Sequence, residues 1–230
     1  MGTSFDPQNT AEFDRHAHTY DEQHQKSIRA SGEDPEYFAR YKQQCLERLL
    51  GTGYGAPVLD FGCGIGNLTH LLVGGFSDVS GYDPSSECVK TARERAPKCS
   101  FYDTTDALPK DHFGAVVLAN VLHHVPVTER AGVLETIHRV LSPGGKLVVF
   151  EHNPLNPVTR RAVADCPFDE DAVLLYPWTV KRLLRESGLG AITLNYIVFF
   201  PRPLTGLRSI EPHLGWLPAG AQVFAHATKR

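Results

Sequence analysis

A chain of 230 residues, 42% hydrophobic and 21% charged, has the composition of a soluble globular protein, which excludes disorder as its main state. Its formal net charge of −3 gives no pull towards nucleic acid, and no apolar run approaches the ~18 residues of a membrane span. The five cysteines form no Cys-x-x-Cys pair, which argues against a disulfide framework or a structural zinc site and for reduced, cytoplasmic thiols.

The segment Met1 to Ala30 is polar and lacks the apolar stretch of a signal peptide. Residues 9 to 50 read as two helices. From about residue 56 to 152, strand and helix signals alternate, the pattern of a parallel sheet with covering helices. A strand over Pro57–Phe61 leads through a glycine-rich loop into a helix over Asn67–Val73, ended by Gly74-Gly75. A second strand, Val79–Tyr82, closes at Asp83-Pro84, and the next helix starts after Ser85 or Ser86. Strands follow near Ser100–Tyr102 and over Gly114–Ala119, the latter a continuous apolar run suited to burial on both faces. Thr128 to Leu141 carries one apolar face at helical spacing. Ser142-Pro143-Gly144-Gly145 is a strong turn before a strand over Lys146–Phe150. A helix over Trp178–Ser187, ended by Gly188, precedes two closing strands, Ala191–Phe200 and Gln222–Thr228. The whole reads as one domain: a helical cap over residues 1–52, a cofactor-binding core over 53–152, and a substrate-side cap with closing strands over 153–230.

The loop after the first strand is the most informative feature. Ligands of open α/β sheets bind beyond the carboxyl ends of the strands. Gly62, Gly64 and Gly66 follow a G-x-G-x-G spacing, with Asn67 where a dinucleotide fingerprint needs its third glycine. Asp60 precedes the loop. Asp83 ends the second strand, where an ionised carboxylate can accept both hydroxyls of a ribose. The plainer reading is a tight turn followed by a helix cap.

These residues resemble the class I S-adenosylmethionine (SAM)-dependent methyltransferases. Asp60-x-Gly62-x-Gly64-x-Gly66 looks like the family's first motif, and Gly81-Tyr82-Asp83-Pro84 like its ribose-binding acidic motif. Asp103, followed by Leu108-Pro109, resembles the adenine-reading segment, with Asp106 as the other candidate. Asn120-Val121-Leu122-His123-His124-Val125-Pro126 resembles the motif after the fourth strand, and Leu141 to Gly145 the turn into the fifth. The resemblance implies SAM as cofactor and a Rossmann-like α/β fold with a seven-stranded sheet, mostly parallel, whose last strand is antiparallel. It also implies helices before the first strand that close over the methionine end of SAM, where Tyr20 and Lys42 are candidates for its carboxylate. The alternative there is simple packing of Tyr37 on Tyr41. One departure is Phe113-Gly114, where the family usually has an aspartate; only a loop effect is expected.

Methyl transfer depends on holding nucleophile and methyl in line, and an O- or N-nucleophile can also need a base. His123 and His124 follow the fourth strand, where substrate would sit, and at most one is expected to face the pocket. No second ligand set at zinc spacing accompanies them, so no metal is expected. Glu151-His152-Asn153-Pro154 resembles a subgroup of these enzymes, and His152 or Asn153 is a candidate to line the substrate cavity, against a loop-capping role. Tyr176 and Trp178 are aromatics able to hold a sulfonium or ammonium by cation–π attraction, whereas Phe199 and Phe200 suit a hydrophobic cap core. The implied reaction is methyl transfer to a small molecule, with neither nucleic acid nor membrane as partner. The alternative on the same fold is SAM cyclisation, as in azetidine-2-carboxylate synthases, with attack by SAM's own amine and release of methylthioadenosine. A non-catalytic SAM-binding module is a third possibility.

Overall fold

The computed structural model describes residues 32–166, 169 and 171–230. The first of the two expected N-terminal helices, and with it Tyr20, lies outside the described residues. The second is α1, Pro35–Leu50. Asp34 caps it by accepting the Tyr37 N–H at 2.7 Å. The core then alternates as expected: β1 (Val58–Phe61), α2 (Asn67–Leu72), β2 (Val79–Tyr82), α3 (Ser86–Arg95), β3 (Ser100–Tyr102), β4 (Phe113–Ala119), α4 (Arg130–Val140) and β5 (Leu141–His152). After it come α5 (Pro157–Ala164), α6 (Pro177–Glu186), β6 (Leu189–Ile197), a 3-10 segment (Arg202–His213) and β7 (Gln222–Lys229).

The seven strands form one sheet in the order β3-β2-β1-β4-β5-β7-β6. Neighbours from β3 to β5 are parallel, and β7 runs antiparallel between β5 and β6. The order reverses between β1 and β4, so their following loops diverge and leave a crevice at the carboxyl ends. Alternate residues feed two cores. Leu59, Val116, Leu118, Leu147 and Val149 pack with Ile137 and Val180 on one face. Val58, Ala115, Val117, Val148 and Phe150 pack with Leu46 and Leu72 on the other. Burial on both faces accounts for the unbroken apolar runs of β4 and β5.

Three local differences from the sequence reading have physical causes. The Ser142–Gly145 turn lies inside β5, because Leu141 already pairs with Phe113 before the register resumes at Ala115 and Lys146. The turn is thus a bulge, with Gly144 at φ 75°. β6 ends at Ile197 instead of Phe200, since Val198 takes φ 61° and leaves the strand conformation. The Phe113-Gly114 departure is a packing matter, because a side chain at Gly114 would meet the Tyr54 hydroxyl and the Ala56 methyl at 2.5 Å.

Candidate active site

The crevice is built first from the loop between β1 and α2. Gly62, Gly64 and Gly66 all have positive φ, at 79°, 51° and 82°. Gly62 lies against the loop after β4: a Cβ there would sit 2.6 Å from Val121 Cγ2. Gly64 differs, since nothing lies within 4 Å of its would-be Cβ and the backbone is open to a ligand. Asp83 closes this loop from the end of β2. Its Oδ2 accepts the Gly64 N–H at 2.8 Å and its Oδ1 the Ser85 N–H at 3.0 Å. Ser85 caps α3 by accepting the Cys88 N–H, so the capping role belongs to the serine. Pro84 stands half-buried between them.

Asp60 is buried beneath the loop and accepts from the Thr69 hydroxyl on α2 at 2.7 Å. Burial raises its carboxyl to about 6, against the pull of Thr69 and Lys42. Lys42, from α1, is buried as well. Burial lowers its ammonium to about 8, although Glu151 and Asp60 oppose the shift. Among the described residues its ammonium makes no hydrogen bond, and its charge partners are Glu151 and Asp60. Asn120, at φ 61° after β4, has a buried Oδ1 with no partner among the described residues. The open Gly64 backbone, the Lys42 ammonium and the orphaned Asn120 acceptor are the groups here left for a polar ligand. Asp103 is exposed at the end of β3, and Asp106 is exposed in the 3-10 turn Thr105–Ala107. Arg139 pins that turn by donating to the Leu108 and Thr105 carbonyls at 3.0 and 2.7 Å.

The histidines cluster at the ends of β4 and β5. His123 and His124 have ring centroids 4.1 Å apart, and His123 and His152 5.1 Å. His123 Nδ1 meets Glu151 Oε2 at 2.6 Å, while Glu151 Oε1 accepts the Leu122 N–H. On the other side, Asp169 Oδ1 lies 3.4 Å from both His123 Nε2 and His124 Nε2. Burial pulls the His123 imidazole down, but Glu151 and Asp169 outweigh it and raise the group to about 9. His124 and His152 are lowered to about 3 and about 4, by burial and by the neighbouring His123 charge. All three are brought together, but none is an exposed, ordinary imidazole.

Asn153 makes the bonds of a loop cap, one of the two readings open for it. It is fully buried, and its amide donates to the Pro218 and Gly220 carbonyls at 3.2 and 2.8 Å while accepting the Leu155 N–H. Its amide thus ties the loop after β5 to the segment carrying Pro218 and Gly220. Tyr176, half-exposed before α6, stacks on Trp178 with centroids 4.6 Å apart and planes 10° apart. Tyr37 and Tyr41 do pack, at 6.1 Å, and each has a further partner. Arg208 lies 4.4 Å over the Tyr37 ring, and the Tyr41 hydroxyl donates to the buried Glu211 at 2.7 Å. Glu211 also accepts the Phe199 and Phe200 N–H groups, so the cap is tied to α1 by a polar knot.

Thr69, Asp169 and Glu211 escaped the sequence reading. Asp169 and Glu211 act on partners distant along the chain, His123, His124 and Tyr41, whereas Thr69 binds Asp60 on the strand just before its own helix.

A sheet reversing at β1 and β4, with a glycine loop laced to the acidic end of β2, is the architecture of a Rossmann-like nucleoside-binding domain. Residues 58–145 match the methyltransferase-domain family. Over 154 residues the chain is 34% identical to an uncharacterized methyltransferase of Bacillus cytotoxicus, spanning 64% of this chain and 67% of that protein. A counterpart in Bacillus mycoides matches to the same extent, 34% over 154 residues. The chain belongs to the class I SAM-dependent methyltransferase superfamily and is a SAM-dependent transferase. The fold is shared with a possible histamine N-methyltransferase from Thermotoga maritima, with a TM-score of 0.69, 19% identity, and coverage of 96% of this chain and 100% of that one. It is shared too with a Haemonchus contortus phosphoethanolamine N-methyltransferase bound to phosphomonomethylethanolamine and S-adenosylhomocysteine. There the TM-score is 0.57 at 18% identity, covering 82% of this chain and 52% of that one.

Proposed function

We propose that this enzyme transfers the methyl group of SAM to a small-molecule acceptor enclosed by the cap. In that reading Asp83 takes the ribose hydroxyls, and Gly62 and Gly64 let the backbone approach the nucleoside. Asp103 stands on the adenine side. Lys42 receives the methionine carboxylate, and Asp60 and Asn120 serve the same end of the ligand. The observation that carries it is the Asp83–Gly64 tether beside an open glycine backbone.

In methyl transfer the acceptor lone pair forms a bond to the methyl carbon as the carbon–sulfur bond breaks, leaving S-adenosylhomocysteine. The chain's part is to align the two and exclude water. The cluster favours one kind of acceptor over another. His123 is held between two carboxylates, and His124 and His152 are weak bases with values near 3 and 4. An acceptor that reaches the site as a free amine or as an already acidic oxygen fits this better than an alkyl alcohol, which would need a strong base.

Incubation of the pure enzyme with SAM and panels of small amines and phenols, read by mass spectrometry, tests the proposal. S-adenosylhomocysteine that forms only with an added acceptor is expected. Methylthioadenosine and a cyclic amino acid from SAM alone, above the uncatalysed background, would overturn it in favour of cyclisation.

A further inference from the structure

We propose that His123, His124 and Asp169 form a binding site for one divalent metal ion of the zinc type, with Glu151 as its supporting carboxylate. One carboxylate oxygen, Asp169 Oδ1, stands 3.4 Å from His123 Nε2 and 3.4 Å from His124 Nε2, and the three atoms lie within 4.8 Å of one another. Bonds of ~2.0–2.1 Å to a tetrahedral ion place neighbouring ligand atoms ~3.4 Å apart. The same separation is long for the alternative, a proton on a ring nitrogen shared with the carboxylate, since charge-assisted N–H···O contacts are ~2.7–2.9 Å. The other nitrogen of the same ring shows what such a contact looks like here, at 2.6 Å from Glu151.

That second contact is the usual support of a metal-bound histidine. A carboxylate on Nδ1 fixes the tautomer with the lone pair on Nε2 and raises its basicity. Glu151 is itself held by the Leu122 N–H at 2.8 Å. The donor set is two imidazoles and one carboxylate, which suits zinc and leaves a coordination position for water or a substrate oxygen. Bound there, the ion would clasp Asp169 to the loop after β4. A backbone bond, the Val173 N–H on the His123 carbonyl, already joins the cap to this loop, and the Arg130 guanidinium of α4 donates to the Val173 carbonyl. The proposal does not rest on the acceptor reading above.

The test uses untagged full-length protein, stripped with a chelator and dialysed. Calorimetric titration with Zn²⁺ should show one equivalent bound. Asp169→Ala and His124→Ala should each weaken it at least ~10-fold, and Glu151→Gln ~10- to 100-fold. Titration of the wild-type chain with Co²⁺ supplies a readout that needs no variant: intense visible bands of a tetrahedral ion, without a thiolate charge-transfer band. Absence of stoichiometric Zn²⁺ binding overturns the proposal. So do a thiolate band, the weak bands of an octahedral ion, or undiminished affinity in a folded His124→Ala/Asp169→Ala variant.

Discussion

Asp83 Oδ2 accepts the Gly64 N–H at 2.8 Å, so the carboxylate that ends β2 also holds the middle of the glycine loop that follows β1. In the proposed reading one residue therefore has two tasks, shaping the loop and meeting the ligand. Removing it costs both. Asp83→Ala is expected to weaken SAM binding by ~100-fold or more, since hydrogen bonds to a charged group are each worth ~1.5–3 kcal/mol. Calorimetric titration with SAM checks this, and an unchanged Kd would sink the ribose assignment.

Gly62 and Gly64 should respond differently to alanine. At Gly62 the new methyl meets Val121 Cγ2 at 2.6 Å on a backbone with φ 79°, so strain and clash add. Gly62→Ala should lower the melting temperature markedly. At Gly64 there is open space and φ 51°, near the left-handed well, so Gly64→Ala costs only ~1–2 kcal/mol of stability. Its effect should fall on SAM affinity, because the methyl projects into space that the ligand needs. Equal effects of the two substitutions on melting would contradict this division.

Lys42 links pH to both stability and binding. Burial lowers its folded-state value from 10.5 to about 8, so between those values the unfolded chain holds more protons than the folded one. The contribution of this group to stability is then unfavourable below pH 8 and recovers as the pH rises to 10.5. Lys42→Met should be as stable as the wild type or more so at pH 7, by up to ~3 kcal/mol if the whole shift is realised. The advantage should shrink as the pH rises above 8 and vanish only above 10.5. SAM affinity of the wild type should fall above about pH 8, as the cation is lost, while that of the variant stays low and flat. Urea denaturation and SAM titration at a series of pH values decide the matter.

Asn153→Ala should act on stability and leave SAM affinity nearly unchanged. The substitution strands the Gly220 and Pro218 carbonyls and the Leu155 N–H, with a cost of ~2–4 kcal/mol. A folded, equally stable variant with impaired turnover would restore Asn153 to the substrate cavity.

Much of this molecule can be read along the chain, because the signals involved are local. Two-sided burial writes β4 and β5 as apolar runs, helical spacing writes α4, and Ser85 marks the start of α3. Gly62, Gly64 and Asp83 are legible because a loop that approaches a ligand restricts which residues can form it. Other features depend on partners that only packing brings together. Asn153 joins the loop carrying Gly220, Tyr41 meets Glu211, and Asp169 reaches two adjacent histidines. Hydrogen bonding and coordination depend on distances of a few ångströms in space, and separation along the sequence does not encode them. Sequence alone thus determined the fold and the cofactor loop. Tertiary structure alone decided which polar side chains brace the cap and which are brought together around the histidines, because those contacts join residues far apart in the chain.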